Sequence, residues 1–278
     1  MTRRLVVTAD DLGRERAGIP AILALAADGC ITATTAIVVG EALTADDVAT
    51  LRAIDVEPRL HATLTGERGL APWRPVTQAP SLVDAVGALP AEATTFAERA
   101  APGDVAAELA AQLERLRSLG ARPTAMDSHA GTLYGLAGRS FLPEALALCA
   151  REGLGFRLPR RLEPYLGVAP GALPAELADA HRRAVEAADA AGVPIPAAML
   201  TNRRGARDLG GYGALFADVA RMLAGLPEGT SELFLHPAPD GALVGDAGVV
   251  RAWELRLLRD PAFRSALDAE GFELVEGW

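Results

Sequence analysis

Two adjacent acids, Asp10 and Asp11, follow an apolar run close to the start of the sequence. Neighbouring carboxylates beside a buried strand repel each other and need a cationic partner. A metal ion meets that need, with one carboxylate as its ligand and the other free to handle a proton. The alternative is a helix N-cap, because aspartate is a preferred cap and a helix-like apolar pattern follows from Ile19. Since a cap uses only one acid, we favour the metal site.

Three of the four histidines, His61, His129 and His236, stand near the ends of strand-like runs. In a β/α barrel the carboxyl ends of the strands share one rim, where catalytic groups lie. One acid and two neutral imidazoles form a three-ligand cation site that leaves room for water or substrate. A second acid and a further imidazole can then act as general base and general acid. This set of groups favours the hydrolysis of an amide or ester.

Strand-like and helix-like segments alternate along the chain. The strands are predicted at residues 5–9, 34–39, 58–64, 124–128, 155–158, 197–200, 232–236 and 272–275. The helices are predicted at residues 17–28, 45–53, 103–119, 140–151, 174–191, 214–223, 249–258 and 261–269. The alternation predicts an α/β fold, a distorted (β/α) barrel of parallel strands. A doubly wound open sheet is the alternative, although no Gly-x-Gly-x-x-Gly follows the first strand.

No repeat or linker divides the sequence, so we expect a single domain over residues 1–278. Two long connections, residues 66–101 and 159–174, interrupt the alternation and are rich in proline. Loops of this length in a compact domain are usually functional or disordered, and we expect these two to wall a pocket. The fourth histidine, His181, lies among charged residues of a predicted helix and is expected at the surface.

Composition excludes several classes of protein. The net charge is −9 and no basic run occurs, which argues against a nucleic-acid partner. All 27 basic residues are arginine, so lysine Schiff-base enzymes and phosphate-loop nucleotidases are excluded. No apolar run is long enough to cross a bilayer, and the first residues enter a strand directly, so we expect a cytoplasmic protein without a membrane partner. Cys30 and Cys149 are predicted to be buried core thiols.

Five short segments, taken in order, carry a resemblance to a known family. They are residues 8–13 (Thr-Ala-Asp-Asp-Leu-Gly), 60–66 (Leu-His-Ala-Thr-Leu-Thr-Gly), 127–129 (Asp-Ser-His), 236–237 (His-Pro) and 251–255 (Arg-Ala-Trp-Glu-Leu). This ordered set resembles the YdjC/ChbG/HpnK family of carbohydrate deacetylases and spans nearly the whole chain. None of the segments is specific when taken alone.

The resemblance implies a distorted barrel that binds one divalent cation and removes acetyl groups from amino sugars. Carried over position by position, Asp11, His61 and His129 would hold the metal. Asp10 would be the general base, and His236 is the candidate general acid. The implied ion is zinc or magnesium, since imidazoles favour zinc whereas a carboxylate and water also suit magnesium. The implied partner is a small molecule, an acetylated sugar or metabolite; the sequence leaves a homodimer open.

The chain departs from the family pattern around the substrate. The family continues after Asp-Ser-His with further histidines, whereas residues 129–134 read His-Ala-Gly-Thr-Leu-Tyr. Thr8 and Thr63 replace the usual asparagines of two other segments. These changes allow a specialised metabolite as the substrate instead of a chitooligosaccharide. The scarcity of asparagine and glutamine also keeps open a hydrolase that acts on a non-sugar amide or ester.

Two further classes remain as alternatives. A non-haem iron oxygenase also uses two histidines and one carboxylate, and iron content with oxygen consumption would separate it from a hydrolase. A binding protein without catalysis is the other alternative. The presence of both Asp10 and Asp11 counts against it, because folding alone would tolerate one acid.

Overall fold

The strands of the protein form one parallel sheet. The structure, a computed structural model, describes residues 2–278. The strands are β1 (Arg3–Leu12), β2 (Ala33–Ala36), β3 (Arg59–Ala62), β4 (Ala125–Ser128), β5 (Gly155–Phe156), β6 (Met199–Leu200), β7 (Gly229–Leu235) and β8 (Glu273–Leu274). Their order across the sheet is β5-β4-β3-β2-β1-β7-β6, with β8 beside β1. The sheet curls into a half-barrel, which confirms the predicted α/β class of distorted barrel.

Helices surround this sheet. They are α1 (Ile19–Ala27), α2 (Ala45–Arg52), α3 (Ala93–Arg99), α4 (Pro102–Ser118), α5 (Leu142–Glu152), α6 (Glu163–Leu166), α7 (Ala175–Ala190), α8 (Ala206–Leu209), α9 (Tyr212–Ala224), α10 (Gly245–Arg259) and α11 (Pro261–Ala269). All eight predicted helices are present; α11 has the predicted bounds, and the other seven differ from the prediction at one end or both. Helices α3, α6 and α8 were not predicted from the sequence. They have seven residues or fewer, which is too short for apolar residues to repeat with a helical period.

The central strand β1 is longer than predicted. It continues through both acids to Leu12, whereas the sequence reading ended it at Ala9 and placed the acids in a turn. Its pairing with β2 shifts register between Ala9 and Leu12, and Asp11 has a positive φ of 71°. Successive strand side chains normally point to opposite faces, but an irregularity of this kind re-aims one of them. Asp10 and Asp11 can therefore both reach the inside of the barrel.

Neither acid caps a helix, so the alternative interpretation of the pair is wrong. Helix α1 has Gly18 at its N-cap, and the short 3-10 helix before it has Glu15 there. The apolar core lies between the strands and the helices. Cys149 is buried there as predicted, whereas Cys30 is only partly buried, which corrects its expected place in the core.

Candidate metal centre and active site

The five predicted site residues meet at one cavity of about 860 Å³. Asp10 and Asp11 come from β1, and the three histidines lie on or directly after β3, β4 and β7. The first four side chains are buried, while the His236 side chain is 29% exposed. Both long connections contribute to the cavity wall, as predicted.

His181 differs from its prediction as a surface residue. It lines the same cavity and is partly buried, and its Nε2 atom lies 3.3 Å from the Arg160 carbonyl oxygen.

Three potential ligand atoms converge at the deep end of the cavity. The Oδ1 atom of Asp11 lies 3.2 Å from His61 Nε2 and 3.5 Å from His129 Nδ1. The two imidazole nitrogens are 3.3 Å apart. A tetrahedral ion with bonds of about 2.1 Å holds its ligand atoms about 3.4 Å from one another. The separations of all three pairs therefore match the edges of one face around a small divalent cation.

The surroundings of these atoms also fit a cation. Asp11 Oδ1 is buried and has no hydrogen-bond partner among residues 2–278. A buried carboxylate oxygen without a partner costs free energy, whereas a bound cation would satisfy it. The residues present therefore fit the metal that the sequence predicts.

Neighbouring carboxylates orient the two imidazoles. His61 Nδ1 lies 2.7 Å from Asp127 Oδ1, so a proton on Nδ1 leaves the Nε2 lone pair facing the centre. Glu67 Oε1 lies 3.5 Å from His129 Nε2, on the side of that ring away from the centre. Carboxylates of this kind fix the tautomer and direction of metal-binding histidines. The sequence segment Asp-Ser-His contained Asp127, but no role was predicted for it.

The other oxygen of Asp11 is held by an arginine. Arg251 Nη1 on α10 donates a hydrogen bond of 2.6 Å to Asp11 Oδ2. Burial alone would raise the pKa of Asp11. The Arg251 cation and the facing imidazoles have the opposite effect, and the resulting pKa is well below its usual value. Asp11 is therefore ionised at neutral pH, with one oxygen engaged and the other directed at the imidazoles.

Asp10 is bound by a buried arginine. Arg157 donates from Nη1 to Asp10 Oδ2 at 2.7 Å and from Nη2 to Oδ1 at 2.9 Å. The Thr35 hydroxyl adds a hydrogen bond of 2.8 Å to Oδ1. A carboxylate has about four lone-pair sites, so one site on Oδ2 remains free to accept a proton. Burial raises the pKa of Asp10, but the Arg157 guanidinium and the nearby His61 and His236 together hold that pKa below its usual value.

His236 lies on the cavity wall between two acids. Its Nε2 atom is 3.9 Å from Asp10 Oδ2, and its Nδ1 atom is 4.0 Å from Glu254 Oε2. The backbone N–H of His236 donates a hydrogen bond of 2.7 Å to Glu254, which fixes the start of the loop after β7. Burial raises the pKa of Glu254.

A network of charged side chains fills the barrel below the site. Arg157 donates to Asp10, Asp127 and Glu232, and Glu232 also accepts a hydrogen bond of 3.2 Å from Arg59. The sequence reading missed Arg157 and Glu232. The sequence signal that could have identified them is a charged residue at a core position within a short apolar strand. Burial of an unpaired charge there costs free energy, so such a residue must have a partner.

A second group of potential ligands, Asp10, His61 and Asp127, also lies close together. Arg157 Nη1 already donates to both of these acids. A guanidinium there occupies the position that a metal cation would need, so this group fits an ion less well than the first one.

A sequence model of the family described as YdjC-like protein matches residues 4–269. No functionally curated protein matches the chain at a significant level. Among solved structures, a candidate cellobiose-phosphate cleavage protein from Enterococcus faecalis superposes with a TM-score of 0.73 at 23% identity, covering 99% of this chain and 97% of that chain. This similarity shows a shared fold.

Two further solved structures are more distant. The lactam utilization protein from Thermus thermophilus has a TM-score of 0.49 at 17% identity and covers 98% of each chain. A family 4 carbohydrate esterase from Streptomyces lividans, in complex with acetate, has a TM-score of 0.42 at 10% identity, covering 97% of this chain and 90% of that chain. None of the helices within residues 2–278 is both long and apolar enough to cross a bilayer.

Proposed function

The chain belongs to the YdjC-like family, and on that basis we propose that it is a metal-dependent hydrolase that removes the acetyl group from an N-acetylated amino sugar or sugar-bearing metabolite. The observation that carries the proposal is the triangle of Asp11 Oδ1, His61 Nε2 and His129 Nδ1, with sides of 3.2, 3.3 and 3.5 Å. Such a face leaves the opposite side of an ion open to water and substrate.

In this proposal Asp11, His61 and His129 hold one divalent cation. Two imidazole ligands favour zinc, although magnesium also fits a carboxylate with water. When bound, the ion would polarise the acetyl carbonyl and lower the pKa of a water molecule. Arg251 keeps one oxygen of Asp11 engaged, so that a single oxygen faces the ion.

Asp10 is the general base in this proposal. The free site on its Oδ2 atom would accept a proton from the attacking water, while Arg157 and Thr35 hold the carboxylate in place. Water oxygen adds to the acyl carbon, and the carbon–nitrogen bond then breaks. The products are acetate and a free amine.

His236 is the proposed general acid. Its ring lines the cavity near Asp10 and would donate a proton to the departing nitrogen. Glu254 accepts a hydrogen bond from the His236 backbone N–H and lies 4.0 Å from its Nδ1 atom, so it favours a protonated ring. Replacement of His236 by asparagine would then slow the reaction of an amide with a basic leaving group more than that of an acetyl ester with an acidic one.

A non-sugar amide or ester is the second candidate substrate. One observation favours it: much of the cavity wall beyond the metal centre is apolar, including Leu162, Leu177 and Met199. A screen of N-acetylated sugars beside N-acetylated aliphatic and aromatic amines separates the two candidates.

The test is acetate release from N-acetylated sugars by metal-free protein, before and after addition of zinc or magnesium. We expect release only with metal. The Asp10→Asn variant should keep the metal yet lose about 10²–10⁴ in kcat, the usual contribution of a general base. Turnover by metal-free protein, or normal turnover by Asp10→Asn, would contradict the proposal.

A further inference from the structure

The cavity has an apolar side that the hydrolysis itself does not use. Its wall includes Leu136, Leu162, Tyr165, Leu177, Met199 and Phe234. The cavity volume of about 860 Å³ lies near the upper end of the range for small-molecule sites. A single acetylated sugar would therefore leave part of this space to another portion of the substrate.

Helix α7 directs its apolar stripe into this space. Leu177, Ala180 and Ala184 follow the i, i+3 and i+7 spacing of one helix face, and all three line the cavity. Ala188 is buried and Ala184 and Val185 pack against the core while partly buried, whereas Leu177 remains 39% exposed. The C-terminal half of α7 therefore packs on the core, as an amphipathic helix normally does, whereas the end that carries Leu177 faces the cavity.

The apolar wall reaches the candidate metal centre from one side. Leu136 is 71% exposed and packs against Gly131, two residues after His129: a Cβ atom added at Gly131 would lie 2.5 Å from Leu136 Cδ1. An exposed leucine beside a polar centre is therefore available to a ligand.

The wall also reaches the proposed general acid. The rings of Tyr165 and Phe234 stack with centroids 6.4 Å apart, and Phe234 contacts the His236 ring edge-on at 5.9 Å. Apolar surface thus continues from α7 to both sides of the reacting position.

Several of the polar groups on this side are already engaged within the protein. The Asn202 amide nitrogen donates to the Arg204 carbonyl and to Glu254, and its oxygen accepts from the Arg204 backbone N–H. His181 Nε2 lies 3.3 Å from a backbone carbonyl, and the Arg203 guanidinium lies over the Tyr165 ring. A sugar placed here would have to replace these contacts in order to hydrogen bond with the same groups, whereas an apolar group would not.

Building on the proposed function, we infer that this side of the cavity binds a hydrophobic aglycone attached to the acetylated amino sugar. The sugar lies with its acetamido group at the metal centre, and the aglycone packs between α7, Leu136 and the Tyr165–Phe234 pair. The substrate is therefore amphiphilic, with a polar acetylated head and an apolar tail.

The experiment uses methyl, butyl and octyl glycosides of N-acetylglucosamine, below their micelle concentrations, with zinc-loaded protein. We expect kcat/KM to rise about fourfold for each methylene group that becomes buried. A flat series with measurable acetate release would overturn the aglycone site and leave the proposed deacetylation intact.

Binding to the Asp10→Asn variant, measured by calorimetry, tests the site without turnover. Affinity should rise with chain length in the same way, and equal affinity for the three glycosides would overturn the inference. Chain-length-dependent binding without acetate release by the unaltered protein would support the aglycone site and contradict the proposed reaction.

Substitutions in the apolar wall test where the aglycone binds. Leu177→Asn should lower the octyl-to-methyl ratio of kcat/KM at least threefold, because it places a polar group in the apolar wall. The control is Val86→Asn, at a side chain that is 66% exposed and lies outside the cavity lining, and it should leave the ratio unchanged. Equal ratios in the two variants would place the aglycone elsewhere and overturn the assignment.

Discussion

Asp11 shows how one side chain can be divided between two partners. Its Oδ2 atom accepts a hydrogen bond from Arg251, while the buried Oδ1 atom has only imidazole nitrogens in front of it. Two rings and a carboxylate that aim lone pairs at one point repel each other unless a proton or a cation lies between them. This arrangement is the strongest physical argument for a metal at the site.

Replacement of Asp11 tests that argument. In Asp11→Asn the facing oxygen loses its negative charge, so we expect zinc affinity to fall at least 100-fold while the fold is kept. Calorimetric titration of metal-free protein measures the loss. Asp46→Asn, on the exposed start of α2, is the matched control and should bind zinc normally. Equal affinity in both variants would remove Asp11 from the ligand set.

Arg157 is the residue on which the buried charges depend. It donates to Asp10, Asp127 and Glu232, all of which are buried. Arg157→Met would leave these acids without their main counter-charge, and removal of one partner from a buried pair costs about 3–5 kcal/mol. Chemical denaturation should show this loss in free energy of unfolding. Arg182→Met on the exposed face of α7 is the control and should change stability by less than about 0.5 kcal/mol.

The same variant should also change the response to acid. Burial raises the pKa of Asp10, but Arg157, as the largest of several lowering influences, helps to bring it below its ordinary value of 3.8 on folding. This carboxylate therefore contributes stability above pH 3.8, which is lost as the pH falls towards the lower folded pKa. Without Arg157 the Asp10 pKa rises, so the midpoint of acid unfolding should move to higher pH. An unchanged midpoint would show that Asp10 does not depend on this arginine.

Among the elements, β1 contributes most to the site. The register shift after Ala9 lets two consecutive residues face the barrel interior, where a regular strand would place only one. Apolar patterning predicts a strand here, because residues 5–7 are all aliphatic and buried. It does not predict the shift, because that depends on pairing with β2, which lies more than 20 residues away in the sequence.

Gly13 ends this irregular stretch and offers a test of it. Its φ is +86°, and an added Cβ would lie 2.7 Å from the Ile37 carbonyl oxygen and 2.9 Å from Leu43 Cβ. We expect Gly13→Ala to destabilise the protein by about 2 kcal/mol or more, through positive φ and a backbone clash. Gly103→Ala, inside α4, where nothing lies within 4 Å of an added Cβ and φ is not positive, is the control and should be neutral or slightly stabilising. Similar melting temperatures for both variants would contradict this account of the turn.

The meeting of the site residues at one rim of the sheet could be predicted from the sequence, whereas their hydrogen-bond partners could not. Asp10, Asp11, His61, His129 and His236 are scarce polar residues at the ends of apolar runs, and in parallel strands those ends share one rim. Arg157 and Arg251 lie 147 and 240 positions from the acids they bind. No local pattern marks such pairs, because the fold alone brings them together.

For the whole molecule, the barrel combines two chemically different surfaces. Buried charges fill its interior from Arg59 up to Asp10, and an apolar wall of α7, Leu136 and Tyr165 borders the cavity above. Ion pairing offsets the free-energy cost of burying these charges, because each arginine of this interior network contacts at least one carboxylate. Low asparagine and glutamine content kept open a non-sugar amide or ester as the substrate, but the sequence did not predict that the apolar side chains of α7 meet the cavity.

The most direct test is a crystal structure of the protein soaked in zinc, with anomalous scattering measured at the zinc edge. We predict one strong anomalous peak per chain, within about 2.3 Å of Asp11 Oδ1, His61 Nε2 and His129 Nδ1. A peak between Asp10 and Asp127, or no peak at a zinc concentration that restores acetate release, would contradict the proposed metal centre.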